Sequence, residues 1–357
     1  MVAADGHLPR VPDAQRALGR REPAVEDVER MSTIDWPARR VFVTGATGMV
    51  GSQLCRWLVD QGAYVAALVM DDDPQSELMR SGTIREIAVV SGRLEDRDVV
   101  ERGILQHETD TVFHLGAQTL VGPAHHAPRA TFEANIAGTW HLLEACRLHA
   151  HLVERVVIAS SDKAYGEQEL PYREDMPLEG RHPYEVSKSC TDLISTCYAE
   201  TYSVPVTIAR CGNIYGPGDL NWSRIVPGTF RSLLRGEQPV LRSDGTFLRD
   251  YIHVDDVVGS YVALAEHCHE DGVRGKGFNF SNEQPLSVMQ IYDACCTAAG
   301  QPGVEPKVLN KAEGEIKDQY LDAARAREVL GWTSSVGLED GLAQTFSWYR
   351  DLHSETA

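Results

Sequence analysis

No run of apolar residues in this 357-residue chain approaches the roughly 20 that a bilayer-spanning helix requires, so no membrane association is expected. Nor do any two of its eight cysteines stand in C-x-x-C spacing. Cys55, Cys146, Cys190, Cys197, Cys211 and Cys268 are scattered, and only Cys295 and Cys296 are adjacent, inside an apolar helical stretch that reads as packing. With no secretory leader evident, this usage argues against a disulfide framework or a metal site and predicts a cytoplasmic protein with reduced thiols. Positive charge is scarce as well: 34 Lys and Arg against 52 Asp and Glu leave a net charge of -18. Such a chain repels nucleic acid and acidic membranes, and a polyanionic ligand must be held by a local cationic site. Internal repeats and long low-complexity tracts are missing, which excludes solenoid and propeller arrays.

Short β-branched runs alternating with helical periodicity dominate what remains. The first 38 residues, rich in Pro, Arg, Glu and Ala, lack a sustained apolar period and read as a flexible extension, too acidic and too poor in hydroxyls for a transit peptide. Strands are expected near 40 to 44, 64 to 69, 86 to 90, 111 to 115, 155 to 160 and 205 to 209, separated by amphipathic segments such as 130 to 150. That alternation predicts an α/β fold, a Rossmann-like doubly wound parallel sheet. Residues 39 to 210 form its dinucleotide-binding domain, with about 249 to 282 returning to it. Past residue 211 Gly, Pro and Arg become frequent, and 211 to 248 with 283 to 350 are expected to build a smaller C-terminal substrate-binding region over the carboxyl ends of the strands, where ligands of such sheets bind.

"VFVTGATGMVGSQL" sets Gly45, Gly48 and Gly51 between a strand and a helix, with Thr47, Met49 and Val50 completing the turn. Missing side chains there let a pyrophosphate approach the backbone N–H groups of a helix N-terminus. The second strand then ends in "LVMDDD". Asp71 is placed to contact a ribose, Asp72 and Asp73 read as a solvated charge run, and no Lys or Arg stands by to neutralise a 2′-phosphate. NAD is expected in preference to NADP.

"PYEVSKS" puts Tyr184 and Lys188 four apart at the start of a helix, hence on one face. A Y-x-x-x-K spacing alone is usually a surface pair. After a glycine turn and a strand that ends in Ser161, it points to a phenol acting as acid and base, with an ammonium favouring its ionised form.

The blocks "TGATGMVG", "VFHLGAQ", "EANIAGT", "SSDKAYG", "YEVSK", "RCGNIYGPGD", "RDYIHVDD" and "VLGW", in this order over residues 38 to 348, resemble the extended short-chain dehydrogenase/reductases. Within them, "SDK" resembles the nucleotide-sugar 4,6-dehydratases of the CDP-glucose type. The resemblance implies Ser161, Tyr184 and Lys188 as the redox triad and Asp162 with Lys163 as the dehydration pair. It places Leu94, Leu115 and Ala117 along the cofactor, Gln118, Asn135, Asn213 and Arg249 on the nucleotide-sugar side, and Arg224 and Arg242 as further diphosphate or nucleotide contacts. His114 supports the site or is a satisfied interior group. Two positions depart from the pattern: Arg93 stands where many relatives hold adenine with an Asp, and Val69 occupies the usual acidic position at the end of the second strand. A homodimer through a four-helix interface of segments 131 to 149 and 185 to 202 is also implied.

A dehydratase of this type oxidises a sugar at C4, removes water across C5 and C6 and reduces C6, so it needs two proton carriers beyond the redox triad. Asp162 as acid and neutral Lys163 as base would fill those roles. A loop salt bridge without chemistry is the plain alternative for the pair. A nucleotide-sugar 4-epimerase, which needs only Ser161, Tyr184 and Lys188, and a non-catalytic NAD(P)-binding regulatory protein are the competing functions.

Overall fold

Val41, Phe42 and Val43 of strand β1 (Arg40–Thr44) are all fully buried yet serve two cores, because successive strand residues point to opposite faces. Val41 and Val43 pack in the core shared with helices α1 (Met49–Asp60) and Val254–His267, whereas Phe42 packs in the core beneath α2 (Arg97–Gln106), α3 (Gly138–Leu148) and α4 (Pro183–Tyr202). Burial on both faces is what a parallel sheet between two helical layers demands. The computed structural model describes residues 33–311 and 316–356. Most of the extension expected over 1–38 therefore lies outside the described residues.

The remaining strands of the main sheet are β2 (Tyr64–Val69), β3 (Ala88–Ser91), β4 (Thr111–His114), β5 (Arg155–Ala159), β6 (Val206–Cys211) and β7 (Gly277–Phe280). All seven are parallel, in the order β7-β6-β5-β4-β1-β2-β3. The order reverses between β1 and β4, and the glycine turn sits at that crevice. The expected fold class is the observed one. Strand β6 runs two residues further than expected, which takes Arg210 and Cys211 into the sheet.

Segment 130 to 150, expected as one helix, is broken. A short helix (Pro128–Phe132) passes into a π-helical turn (Glu133–Ala137) before α3 begins. The widened turn carries Asn135, which is 1% exposed; single π-turns inside helices commonly mark functional positions.

A second layer is built from α5 (Ile225–Leu234), α7 (Val288–Ala298) and α8 (Leu338–Thr356), with α6 (Val254–His267) between the first two in the chain. Helices α5, α7 and α8 share their own apolar cluster, including Val226, Phe230, Ile291, Cys295, Leu342 and Tyr349. Helix α6 packs instead against the main sheet. Two short parallel strands, Asn213–Tyr215 and Tyr251–His253, connect the layers and set Asn213 beside Asp250.

Candidate active site

Gly45 adopts φ +74°, and a Cβ added there would sit 2.6 Å from the Gly116 nitrogen. Gly51 is tighter still, since its Cβ would meet the Gly45 carbonyl oxygen at 2.1 Å. Only glycine lets β1, the turn and α1 approach this closely. Helix α1 begins after Gly48 with no side-chain cap, which leaves the N–H groups of its first turn facing the crevice. An uncapped 12-residue helix start behind a Cβ-free turn fits a dinucleotide pyrophosphate. Thr47, Leu115 and Ala117 border the crevice half-buried, and Leu94 lies over Gly116 and Gly138. Asp71 is exposed just past β2, and Arg93 is exposed and paired with Glu95 at 3.5 Å.

Buried His114 anchors the crevice rather than titrating. Its Nδ1 accepts from the Thr44 hydroxyl at 2.8 Å, and Thr44 Oγ1 in turn accepts from Gly116 N at 3.0 Å. The Thr139 hydroxyl donates to the Asn135 carbonyl at 2.6 Å, so Nε2, 3.1 Å from Thr139 Oγ1, is the protonated nitrogen and Nδ1 the acceptor. Burial and the neighbouring Lys188 charge press its pKa down to about 3, so the ring is neutral.

Asn135 spends its whole side chain on the protein. Its Oδ1 accepts from Gln118 N at 2.7 Å, and its Nδ2 donates to Gln118 O at 3.0 Å and Ser187 Oγ at 2.9 Å. It holds the loop that carries Gln118 against α4, and Gln118 Oε1 closes that loop by accepting from Leu120 N at 2.9 Å.

Strand β5 ends at Ala159, and the chain turns into a one-turn 3₁₀ helix, Asp162–Tyr165, capped by the Ser161 hydroxyl. Ser161 Oγ donates to Asp162 Oδ1 at 2.9 Å. Lys163 Nζ lies 3.2 Å from both Asp162 oxygens and 3.3 Å from Asn213 Oδ1. The Asp162 side chain is 3% exposed and that of Lys163 22%, so the pair faces the crevice from a dry wall. A solvated loop pair would not be buried in this way.

Helix α4 opens on His182 with a capping box closed by Glu185 and with Pro183 in its first turn. That start aims buried Tyr184 at the crevice. Burial pushes the Tyr184 phenol up to about 12; Arg224 opposes this, the Asp162 charge adds to it, and a hydrogen bond with Ser161 opposes it. Lys188 Nζ donates to the Ala159 carbonyl at 2.7 Å, and burial lowers its pKa to about 8 against the pull of Asp192. Of the charges near the Tyr184 phenol, Arg224 favours its ionised form and Asp162 disfavours it. The Arg224 guanidinium is anchored on buried Asp219 at 3.1 Å.

Arg249 is 7% exposed and donates to the carbonyls of Leu248, Ile316 and Lys317 at 2.6 to 2.8 Å, bracing that segment. Arg242 is exposed, and its carbonyl accepts from Lys311 N at 2.7 Å. Sequence reasoning passed over Asp250, 1% exposed, whose carboxyl is raised to about 7, first by burial and further by the charges of Asp162 and Glu283. Its neighbour Arg249 drew the attention in "RDYIHVDD", and nothing local marks the Asp as buried.

A pyrophosphate-sized turn, a buried phenol and a carboxylate–amine pair thus meet at one crevice of a doubly wound sheet. Residues 41–279 match the family model "NAD dependent epimerase/dehydratase family", and the chain belongs to that family. Among curated relatives, the CDP-glucose 4,6-dehydratase of Salmonella typhimurium is 30% identical over 88% of this chain and 91% of its own. The UDP-glucose 4-epimerase of Mycolicibacterium smegmatis is 32% identical over 87% and 99%. Solved structures with similar folds include a dTDP-glucose 4,6-dehydratase from Streptomyces venezuelae with NAD bound (TM-score 0.79, 26% identity, 88% of this chain and 98% of that one). A UDP-glucose 4-epimerase from Thermotoga maritima with UDP-glucose is similar too (TM-score 0.79, 28% identity, 87% and 98%). Dehydratases and epimerases are therefore about equally near. Among the described residues no group of three or more His, Cys, Asp or Glu side chains is arranged to hold a metal, and no helix is long and apolar enough to cross a membrane.

Proposed function

We propose that the chain is a nucleotide-hexose 4,6-dehydratase that forms a 4-keto-6-deoxy sugar nucleotide, with CDP-glucose its leading substrate. The observation that carries this reading is the Asp162–Lys163 pair, joined at 3.2 Å on the wall that also holds Ser161 and Tyr184. An epimerase moves protons only at C4 and has no use for a second acid and base. The dehydratase needs both.

NAD held by the glycine turn and the start of α1 would supply a hydride acceptor for C4 and the hydride for C6. Tyr184 accepts the C4 hydroxyl proton as its phenolate, the form that Arg224 and the hydrogen bond with Ser161 favour against burial. The resulting ketone acidifies C5, whose proton passes to the Lys163 amine; Asp162 gives its proton to the C6 hydroxyl, which leaves as water. Lys163 then returns a proton to C5. The pair is already supplied for this work, because moving one proton from Nζ to the carboxylate turns an ion pair into an amine and an acid with no net uptake. A sugar that displaces water from the crevice favours the neutral form, since desolvation penalises two charges more than none. Asn213, accepting from Nζ at 3.3 Å, fixes the direction of the amine.

Gln118, Asn213, Arg224, Arg242 and Arg249 belong to the substrate side of the proposal, and Asp71 with the glycine turn to the cofactor side. Helices α3 and α4 expose Trp140, Leu148, Leu193 and Tyr202 at 44 to 60%, which supports a homodimer across these helices. The eight cysteines are all free, as suits the cytoplasm. The second reading, a 4-epimerase, draws on the Mycolicibacterium smegmatis relative and on a Ser161–Tyr184–Lys188 set sufficient for it. Incubation with CDP-, dTDP-, GDP- and UDP-hexoses decides between them: loss of one water by mass is expected with CDP-glucose, and C4 epimers without water loss would overturn the dehydratase reading.

A further inference from the structure

Behind the crevice lies a buried polar network that the chemistry above does not use. Arg210, on β6, donates through Nε and Nη2 to both oxygens of Asp192 at 2.8 Å, and through Nη1 to the Tyr165 hydroxyl at 2.7 Å. The Tyr165 hydroxyl passes its own proton to Asn279 Oδ1, on β7, at 2.8 Å. Asn279 Nδ2 is committed to the carbonyls of Tyr172 at 2.9 Å and Asp322 at 3.2 Å. Tyr165 and Asn279 are fully buried, and Asp192 and Arg210 are 2% and 6% exposed.

The ends of this network bear on the two halves of the site. Asp192 lies one turn after Lys188 on α4, the helix that also carries Tyr184. Tyr165 closes the one-turn helix whose first two residues are Asp162 and Lys163. A second tie runs parallel, from Ser189 Oγ on α4 to the Ala164 carbonyl at 2.9 Å. Stability alone is a poor reason to bury an Arg, an Asp and a phenol together, since well-packed apolar groups of similar volume usually serve as well or better. Fixed geometry between two catalytic segments is a better one, because a misplacement of about 1 Å can cost on the order of 10²-fold in rate.

We propose that Tyr165 is a positioning residue for the dehydration half of the reaction: its hydroxyl, held between Arg210 and Asn279, locks the turn bearing Asp162 and Lys163 in register with the helix bearing Tyr184 and Lys188. Burial raises the Tyr165 phenol to about 12, so it stays neutral and holds rather than exchanges protons. The assignment rests on the dehydratase reading.

Tyr165→Phe deletes only the hydroxyl. With CDP-glucose in deuterated water, C4 oxidation read by nicotinamide absorbance is expected to stay within about 2-fold of the parent, while deuterium entry at C5 and loss of water fall about 10-fold or more. Asn279→Ser, which leaves Arg210 paired with both Asp192 and Tyr165, is expected to show the same split at smaller size and decides the matter if Tyr165→Phe does not fold. Equal slowing of both half-reactions in the folded variants, or no slowing of either, overturns the assignment. A parent chain that never loses water overturns the dehydratase reading and the assignment with it, and that outcome is told apart because it is read on the unaltered protein.

Discussion

Lys163→Met keeps the length of the side chain and removes three polar contacts at once, those to both Asp162 oxygens at 3.2 Å and to Asn213 at 3.3 Å. Asp162 keeps the Ser161 hydroxyl at 2.9 Å but loses its cation within a wall where its side chain is 3% exposed. Breaking a buried pair from one side typically costs about 3 to 5 kcal/mol, and the partial exposure of Lys163 sets the expectation at the lower end, about 3 kcal/mol. The rate effect is larger in meaning. Loss of a general base costs about 10² to 10⁴, or about 3 to 5 kcal/mol on the barrier at a tenfold per 1.36 kcal/mol. Because Ser161 and Tyr184 are untouched, only the steps after C4 oxidation should bear it. In a single turnover with CDP-glucose, reduced nicotinamide is expected to build up and persist, and solvent deuterium should fail to enter C5. Asp162→Asn is the complementary case: C5 exchange continues while departure of the C6 hydroxyl slows. A Lys163→Met protein that dehydrates at the parent's rate with normal deuterium incorporation would refute the base assignment and leave the 3.2 Å contact a mere ion pair.

Removing the cation that favours the Tyr184 phenolate should raise that phenol further, so Arg224→Gln is expected to move the acid-side limb of the kcat/KM profile about one unit towards higher pH; an unmoved limb would show that the guanidinium serves substrate alone. Lys188, lowered to about 8 when folded, binds fewer protons folded than unfolded between there and its ordinary value of 10.5. Parent stability should therefore rise through that window by up to about 3 kcal/mol relative to Lys188→Met, measured by denaturant titration, and parallel pH curves for the two proteins would contradict the burial argument. Leu193→Glu, at a position 60% exposed on α4, should turn a dimer into a monomer in sedimentation at micromolar concentration without lowering the melting temperature of the isolated protomer. A parent that sediments only as monomer would remove the proposed interface.

The sheet was readable because its signals are local and repeated. β1, β2 and β5 begin where their β-branched runs begin, and the glycine spacing 45, 48, 51 already states which side chains the turn cannot hold. The broken helix at 133–137 was not readable. Apolar spacing continues through it, and only the fold shows that Asn135 needs a widened turn to reach Gln118 and Ser187 at once. For the site, the residue types and their order along the chain were legible, but the pairing of charges was not. Tyr184 and Lys188 share a helix face in sequence, yet in space the amine turns to the Ala159 carbonyl and the guanidinium of Arg224, 40 residues away, acts on the phenol. Asp192 and Arg210, 18 residues apart, find each other only because α4 packs against β6.

In a chain of net charge -18, the field a buried cation keeps depends on what it is bonded to. A carboxylate partner cancels a cation's field, whereas a carbonyl satisfies its hydrogen bonds and leaves the net charge in place. Arg210 is of the first kind, matched oxygen for oxygen by Asp192 and so available for positioning. Lys188, on the Ala159 carbonyl, is of the second kind. Held where surrounding protein excludes water, that charge is screened less than a surface cation. A small anion that reaches the crevice meets a charge on Lys188 that its carbonyl partner satisfies without neutralising.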